Sequence, residues 1–318
     1  MTSRFGISAS PNWVYRHRLV TGPLGMETVG GLRMAGAFVD GGLAVITGAA
    51  SGIGRAAARR CATAGMRVVL VDISEAKLKG ATDEMLAIGG QGAAIGELVD
   101  VADPADMAVL AERVSARWGS PTLLMNNAAA FVTGGAGGIL DPIANWQRLF
   151  AVNVLGMVNG VQAFLPGMLA SGQRARIVNT GSKQGLTNPP GNPAYNSTKA
   201  AVNSYTQNLA RDLRERAGSA VSAHLLIPGW TTTGDSVHRP GAWLPEQVIA
   251  FMDEALSRDA FFILCPDDET PNATDRKRIV WNALDIVYDR PALSRWHPDY
   301  KDEFAAFMQK DLPPGFGS

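Results

Sequence analysis

Apolar and polar positions follow two rhythms along this chain. Short apolar runs recur at Leu43 to Thr47, Arg67 to Val71, Ala93 to Val99, Thr122 to Met125, Arg176 to Thr180, Ser219 to Ile227 and Phe261 to Cys265, most of them closed by Gly, Pro, Asp or Asn. Between them lie stretches with apolar residues at helical spacing, such as Arg55 to Gly65 and Ala102 to Gly119. Strands alternating with helices predict a parallel sheet covered on both faces. The expectation is an α/β, three-layer, doubly wound Rossmann-type domain of about seven strands over residues 43–270. Further helices are expected from near Asp141 and Pro142, from Asn192 to about Ala217, and from Asp275 to Arg290, the last within a helical tail over 271–318 that packs on the domain or on a neighbouring subunit.

Residues 1–42 keep no helix or strand period and carry Glu27 and Asp40 as their acids, so they read as an extension. A transit peptide and a translation start at Met26 or Met34 both stay open. Lys plus Arg equals Asp plus Glu at 29 each, so no global charge draws the 318-residue chain to nucleic acid or to an anionic membrane. No uninterrupted apolar run approaches the roughly 18 residues that span a bilayer. Cys61 and Cys265 sit in apolar surroundings without CxxC or metal-like spacing, which predicts buried free thiols in a reducing, cytoplasmic setting. No metal constellation is visible, and His238 and His297 read as surface or packing residues.

The first strand runs into GAASGIG and then a helix. Gly48, Gly52 and Gly54, with Ser51 and Ile53 among them, suit a turn that brings backbone amides to a pyrophosphate; a plain tight turn is the alternative. Asp72 ends the second strand eighteen residues beyond Gly54. There it can accept from an adenosine ribose and repel a 2′-phosphate, favouring NAD over NADP, or cap the helix from Ser74 as well. No arginine lies inside the turn or just after Asp72, although Arg55 is close. Asp100 and Val101 end the third strand where an adenine would lie. Asn126, Asn127 and Ala128 end the fourth and could bind ribose, pin neighbouring strands or merely form a turn.

Ser182 follows the fifth strand, and a loop broken by Pro189, Pro190, Gly191 and Pro193 leads to Tyr195 and Lys199. Asn192 before Pro193 is a good helix start, with the asparagine expected to cap. Tyr195 and Lys199 then fall one turn apart on one face. A phenol with a pKa of roughly 10 becomes a usable base if a nearby cation lowers it by about 2 to 3 units, which needs roughly 3 to 4 kcal/mol. An amphipathic coincidence is the competing reading. Asn153 lies among Val152, Val154 and Leu155, and a buried amide there needs a partner, either a water chain toward Lys199 or a helix carbonyl.

The order TGAASGIG, NNA, Asn153, Ser182, YNSTK, then PG followed by threonines resembles the short-chain dehydrogenase/reductase family over roughly Gly42 to Cys265. The resemblance implies that Ser182 positions a substrate oxygen, Tyr195 is the general acid or base, Lys199 binds the nicotinamide ribose and lowers the tyrosine pKa, and Asn153 holds a relay water. It implies that Thr233 meets the nicotinamide carboxamide, with Thr231 close by and Ile227, Pro228 and Gly229 lining the same pocket. It also implies NAD as cofactor, a small alcohol or ketone as substrate, and a homodimer or homotetramer formed through the helices carrying Asn153 and Tyr195. The family's glycine after NNA is Ala129 here, which would strain a turn needing positive φ. Trp230 in the segment after Gly229 could pack a ring-bearing substrate or be filler. Lys183 and Gln184, directly after Ser182, could address a polar substituent, although a solvated lysine is the expectation there. Two other readings are a silent NAD-binding regulator and a cofactor-free elimination like that of related dehalogenases. Those relatives lose the glycine turn and replace the lysine, and this chain keeps both.

Overall fold

In the computed structural model, residues 37–131, 138–234 and 236–312 are described. Seven parallel strands form one sheet in the order β3-β2-β1-β4-β5-β6-β7. They are β1 (Leu43–Thr47), β2 (Arg67–Asp72), β3 (Ala94–Leu98), β4 (Leu123–Asn126), β5 (Ala175–Thr180), β6 (Val221–Ile227) and β7 (Phe262–Leu264). Within β1, Ala44 and Ile46 enter the core on one face while Leu43 and Val45 enter that on the other. Both faces being covered is why the central strands read as unbroken apolar runs. Edge strand β3 alternates instead, with Ile95, Glu97 and Leu98 partly or fully exposed.

The crossovers are α1 (Gly52–Thr63), α2 (Glu75–Gly89), α3 (Pro104–Trp118), α4 (Ile143–Phe150) continuing into α5 (Gly156–Ala170), α7 (Pro193–Glu215) and α8 (Pro245–Ser257), with a short α6 (Gln184–Thr187) before α7. Their starts are written locally: the Asp103 side chain accepts from the amides of Ala105 at 2.8 Å and Asp106 at 3.4 Å, with Pro104 in the first turn of α3. Strand order reverses between β1 and β4, so the carboxyl ends of the strands open a crevice there. The ends of β1, β2, β4, β5 and β6 thereby bring Gly48, Asp72, Asn127, Ser182 and Pro228 to one cleft.

Ala37 and Phe38 are buried in the core beneath α1, with the Arg60 guanidinium 4.8 Å above the Phe38 ring. The last residues of the expected extension thus pack on the domain; residues 1–36 lie outside the described residues. Within the continuous helical stretch Ile143–Ala170 an 18-residue window has mean hydropathy 1.5, so by length and composition alone this stretch is apolar enough to cross a membrane. Asn153 and Asn159 break it into shorter apolar runs, so no uninterrupted apolar run of that length occurs. Both are engaged within the domain, Asn159 donating to the Val101 carbonyl at 2.9 Å.

The tail forms α9 (Asn272–Val287) and α10 (Lys301–Gln309) around Trp281, which is buried against Phe304 and Phe307 at ring distances of 5.1 and 5.2 Å. Asp285 and Ser294 close this small core, the Ser294 hydroxyl accepting from the Trp281 indole at 2.8 Å. Asn282 then ties α9 to α6 by donating to the Leu186 carbonyl at 3.2 Å.

Candidate active site

The cleft has a volume of about 850 Å³. At the end formed by the first strand and α1, Gly48 and Gly52 have φ of +64° and +52°, which side chains rarely tolerate. Gly54 is needed for a different reason: a Cβ there would lie 2.2 Å from the Gly48 carbonyl oxygen. The turn therefore brings the α1 N-terminus against the cleft, with Ser51, Gly52 and Ile53 in its wall. Ser51 makes no capping bond and no acid occupies the first turn of α1. The positive helix end is left for an anion, which is what a diphosphate requires. Thr233 lies over this turn, its side chain 3.1 Å from where a Cβ on Gly52 would be.

Asp72 serves two amides, accepting from Ala50 at 3.1 Å and Ser74 at 3.0 Å. It braces the glycine turn and starts α2, while its position on the cleft wall keeps lone pairs within reach of a ribose. The next residue, Ile73, is exposed and uncharged, and Arg55 is taken by Glu84 at 2.7 Å. Asp100 accepts from the Ala102 amide at 2.9 Å, and Val101 is packed against Gly156; both line the cleft. The strand-end asparagines act as pins. Asn126 donates to Asn179 at 2.9 Å, and Asn127 donates to the Thr47 carbonyl at 3.2 Å, while the amides of Asn127 and Ala128 donate to the Thr47 hydroxyl at 3.0 and 3.1 Å.

At the other end, Tyr195 and Lys199 in α7 are both buried, at 7% and 2% exposure, and face the cleft with Ser182. Lys199 Nζ donates to the Thr180 carbonyl at 2.9 Å and lies 5.6 Å from the Tyr195 ring centre. Burial pushes the phenol up to about 12 despite its hydrogen bond with Ser182, and pushes Lys199 down to about 8. The tyrosine thus stands above its ordinary value and not below it as expected, because burial outweighs the Ser182 hydrogen bond.

Residues 42–239 match the family model described as short chain dehydrogenase. The chain belongs to the short-chain dehydrogenase family. It is 33% identical over 254 residues, 76% of this chain and 90% of the relative, to a 1-deoxy-11-beta-hydroxypentalenate dehydrogenase of Streptomyces avermitilis. A short-chain dehydrogenase/reductase from Burkholderia phymatum solved in complex with NAD has 32% identity and a TM-score of 0.70, covering 79% of this chain and 96% of its own. A metagenomic short-chain oxidoreductase solved in complex with NADP has 30% identity and a TM-score of 0.60, covering 71% and 97%.

Several side chains of this short-chain dehydrogenase sit otherwise than expected. Asn153 lies in a single π-helical turn (Ala151–Leu155) and grips the loop after NNA: its oxygen accepts from the Ala130 amide at 2.7 Å, and its nitrogen donates to the Ala130 carbonyl and the Thr198 hydroxyl, both at 3.1 Å. The carbonyl it bonds belongs to the loop at Ala130 and not to its helix. Ala129 does not have positive φ, so the missing glycine imposes no strain. Asn192 makes no capping bond in α7 and instead lines the cleft. Lys183 is not solvated: its side chain is 12% exposed, with Nζ 2.8 Å from Asp267 and 2.6 Å from Asp275. Asp267 also accepts from the Trp230 amide at 3.0 Å, and a Cβ on Gly229 would strike it at 2.2 Å. This junction joins the Ser182 loop, the Pro228 to Trp230 turn and the tail helix α9. Thr231, also in the cleft wall, pairs with Trp243, and Gln184 and Trp230 reach the cleft as expected. His238 and His297 are at or near the surface. Phe131 was missed by sequence reasoning; its ring stacks on Tyr195 at 5.2 Å and 24° while 53% exposed. Its place directly after the NNA loop was the available signal.

Proposed function

We propose that this short-chain dehydrogenase moves a hydride between nicotinamide, of NAD rather than NADP, and a secondary alcohol or its ketone, with Tyr195 as general acid and base. The observation that carries this is the group of half-buried Ser182 with buried Tyr195 and Lys199 in the same cleft as the turn that begins at Gly48. The dinucleotide would rest its diphosphate on Ser51, Gly52 and Ile53, its adenosine ribose on Asp72, its adenine beside Asp100 and Val101, and its nicotinamide half near Asn127, Ala128, Pro228, Gly229, Thr231 and Thr233. When bound, the nicotinamide accepts or returns the hydride.

Ser182 holds the substrate oxygen. Tyr195 takes the hydroxyl proton during oxidation and returns it during reduction. A phenol held near 12 is stored protonated, ready to donate to a carbonyl. In the oxidative direction the Lys199 ammonium and the Ser182 hydroxyl stabilise the phenolate as it forms. Asn153 fixes the backbone of Ala130, and with it the loop beside the nicotinamide half, and Gln184 and Trp230 face the substrate. The intact glycine turn and Lys199 weigh against cofactor-free elimination, and the complete Ser182, Tyr195 and Lys199 set against a silent regulator. Exposed Ile143 and Leu155 on the helix carrying Asn153 support a homo-oligomer, and the free buried thiols of Cys61 and Cys265 support a reducing, cytoplasmic setting.

The test is a panel of secondary alcohols and ketones assayed with NAD and NADP side by side by absorbance of the reduced dinucleotide. Turnover with NAD exceeding that with NADP is expected. Faster turnover with NADP would overturn the role of Asp72, and dinucleotide binding without turnover on any substrate would favour the regulator.

A further inference from the structure

The substrate end of the cleft carries two features that proton transfer does not use. The first is a pair of unsatisfied amides: Gln184 Oε1 and Asn192 Oδ1 are buried and have no hydrogen-bond partner among the described residues. Both side chains belong to the wall that contains Ser182 and Tyr195. A buried polar atom without a partner is costly, and Asn192 has forgone the capping bond its position offers. The terminal torsion of an amide is broad, so a small rotation turns either group to a ligand in the cleft. The second feature is aromatic. Phe131 and Trp230 expose 53% and 44% of their surface on the same cleft. Apolar rings left open in a concave site suit another ring.

Charge narrows the choice further. Among the described residues of the cleft wall the cations are Lys183 and Lys199. Lys199 is held by the Thr180 carbonyl, and Lys183 is neutralised by Asp267 and Asp275. A carboxylate brought to this end would lose its hydration and meet no free cation among these residues.

We infer that the substrate is a neutral, ring-bearing secondary alcohol with a second hydroxyl close to the reacting one, the ring lying on Phe131 and Trp230 and the second hydroxyl donating to Gln184 or Asn192. This rests on the function proposed above and adds the substrate class. A site built to bond a hydroxyl rejects the analogue lacking it, because its amides stay unpaired.

The experiment is calorimetric titration of the enzyme saturated with NADH, using three probes on one scaffold: styrene glycol, α-methylbenzyl alcohol and mandelate. The diol is expected to bind at least about tenfold more tightly than the mono-alcohol and than mandelate, a loss of the size that one unpaired buried group produces. In Gln184→Met with Asn192→Ala that preference is expected to fall to about twofold or less. Equal binding of diol and mono-alcohol, tighter binding of mandelate, or a preference surviving in the double variant would each overturn the inference. Binding is read without turnover, so a failure of the hydride-transfer reading, seen as no NADH formed when the same alcohols are mixed with the enzyme and NAD in a separate assay, is a separate result.

Discussion

Replacing Lys183 by methionine tests how the tail is fastened to the catalytic loop. The ammonium lies between Asp267 and Asp275, whose side chains are 4% and 2% exposed. Removing it leaves two buried carboxylates facing one space, and breaking a buried ion pair by deleting one partner costs roughly 3–5 kcal/mol. Part of the compensation stays in place, since Arg278 is 3.6 Å from Asp275 and the amides of Trp230 and Thr270 still serve Asp267. The lower end, about 3 kcal/mol, is therefore expected, which for a domain of this size corresponds to a Tm lower by about 6–12 °C. The loss should also depend on pH. Burial already holds the Asp275 carboxyl above its ordinary value, while Lys183 holds that of Asp267 below. Without the lysine both folded-state values rise. An acid with a raised folded pKa weakens the fold as pH climbs from the unfolded value through the folded one, so the variant's deficit is greatest at neutral pH and shrinks on acidification toward about pH 4. Thermal unfolding of both proteins across that range reads this directly. A Tm within about 2 °C of wild type at neutral pH, or a deficit that does not change with pH, would refute the reasoning.

Lys199→Met reports on the other buried cation. Because burial pushes the folded Lys199 down to about 8 from its ordinary 10.5, the unfolded chain binds more protons between those values, and wild-type stability should rise relative to the variant across that window. Urea midpoints at the two ends of the window measure it, and a flat difference would contradict the burial argument. Gly54→Ala puts a methyl 2.2 Å from the Gly48 carbonyl oxygen and must displace the turn. NADH affinity by fluorescence titration should then fall at least about tenfold, and an unchanged affinity would remove the cradle from the account. Asp72→Ala frees the amides of Ala50 and Ser74 and removes the repulsion of a 2′-phosphate, so the ratio of kcat/KM for NAD to NADP should drop at least about tenfold; a ratio that holds would reassign Asp72 to bracing alone.

Much of this was legible because it is local. A sheet covered on both faces needs apolar runs such as LAVIT, a tight strand-to-helix turn needs glycines at Gly48 and Gly52, and two side chains one helical turn apart, Tyr195 and Lys199, must share a face. What stayed hidden depends on residues far along the chain. Lys183 directly after Ser182 reads as solvated until folding brings Asp267, 84 positions on, against it. Asn153 finds its partner in the backbone of Ala130, and Phe131 finds Tyr195, through a loop whose course no periodicity records. The raised value of Tyr195 also depends on its burial, which i,i+4 spacing does not reveal.

The central claim, that the Tyr195 phenol exchanges a proton with a substrate oxygen beside a bound nicotinamide, is tested most directly by Tyr195→Phe. NADH oxidation with an accepted ketone should fall at least about 10²-fold, while NADH binding stays within about threefold of wild type. Turnover within about threefold of wild type in that variant would contradict the account.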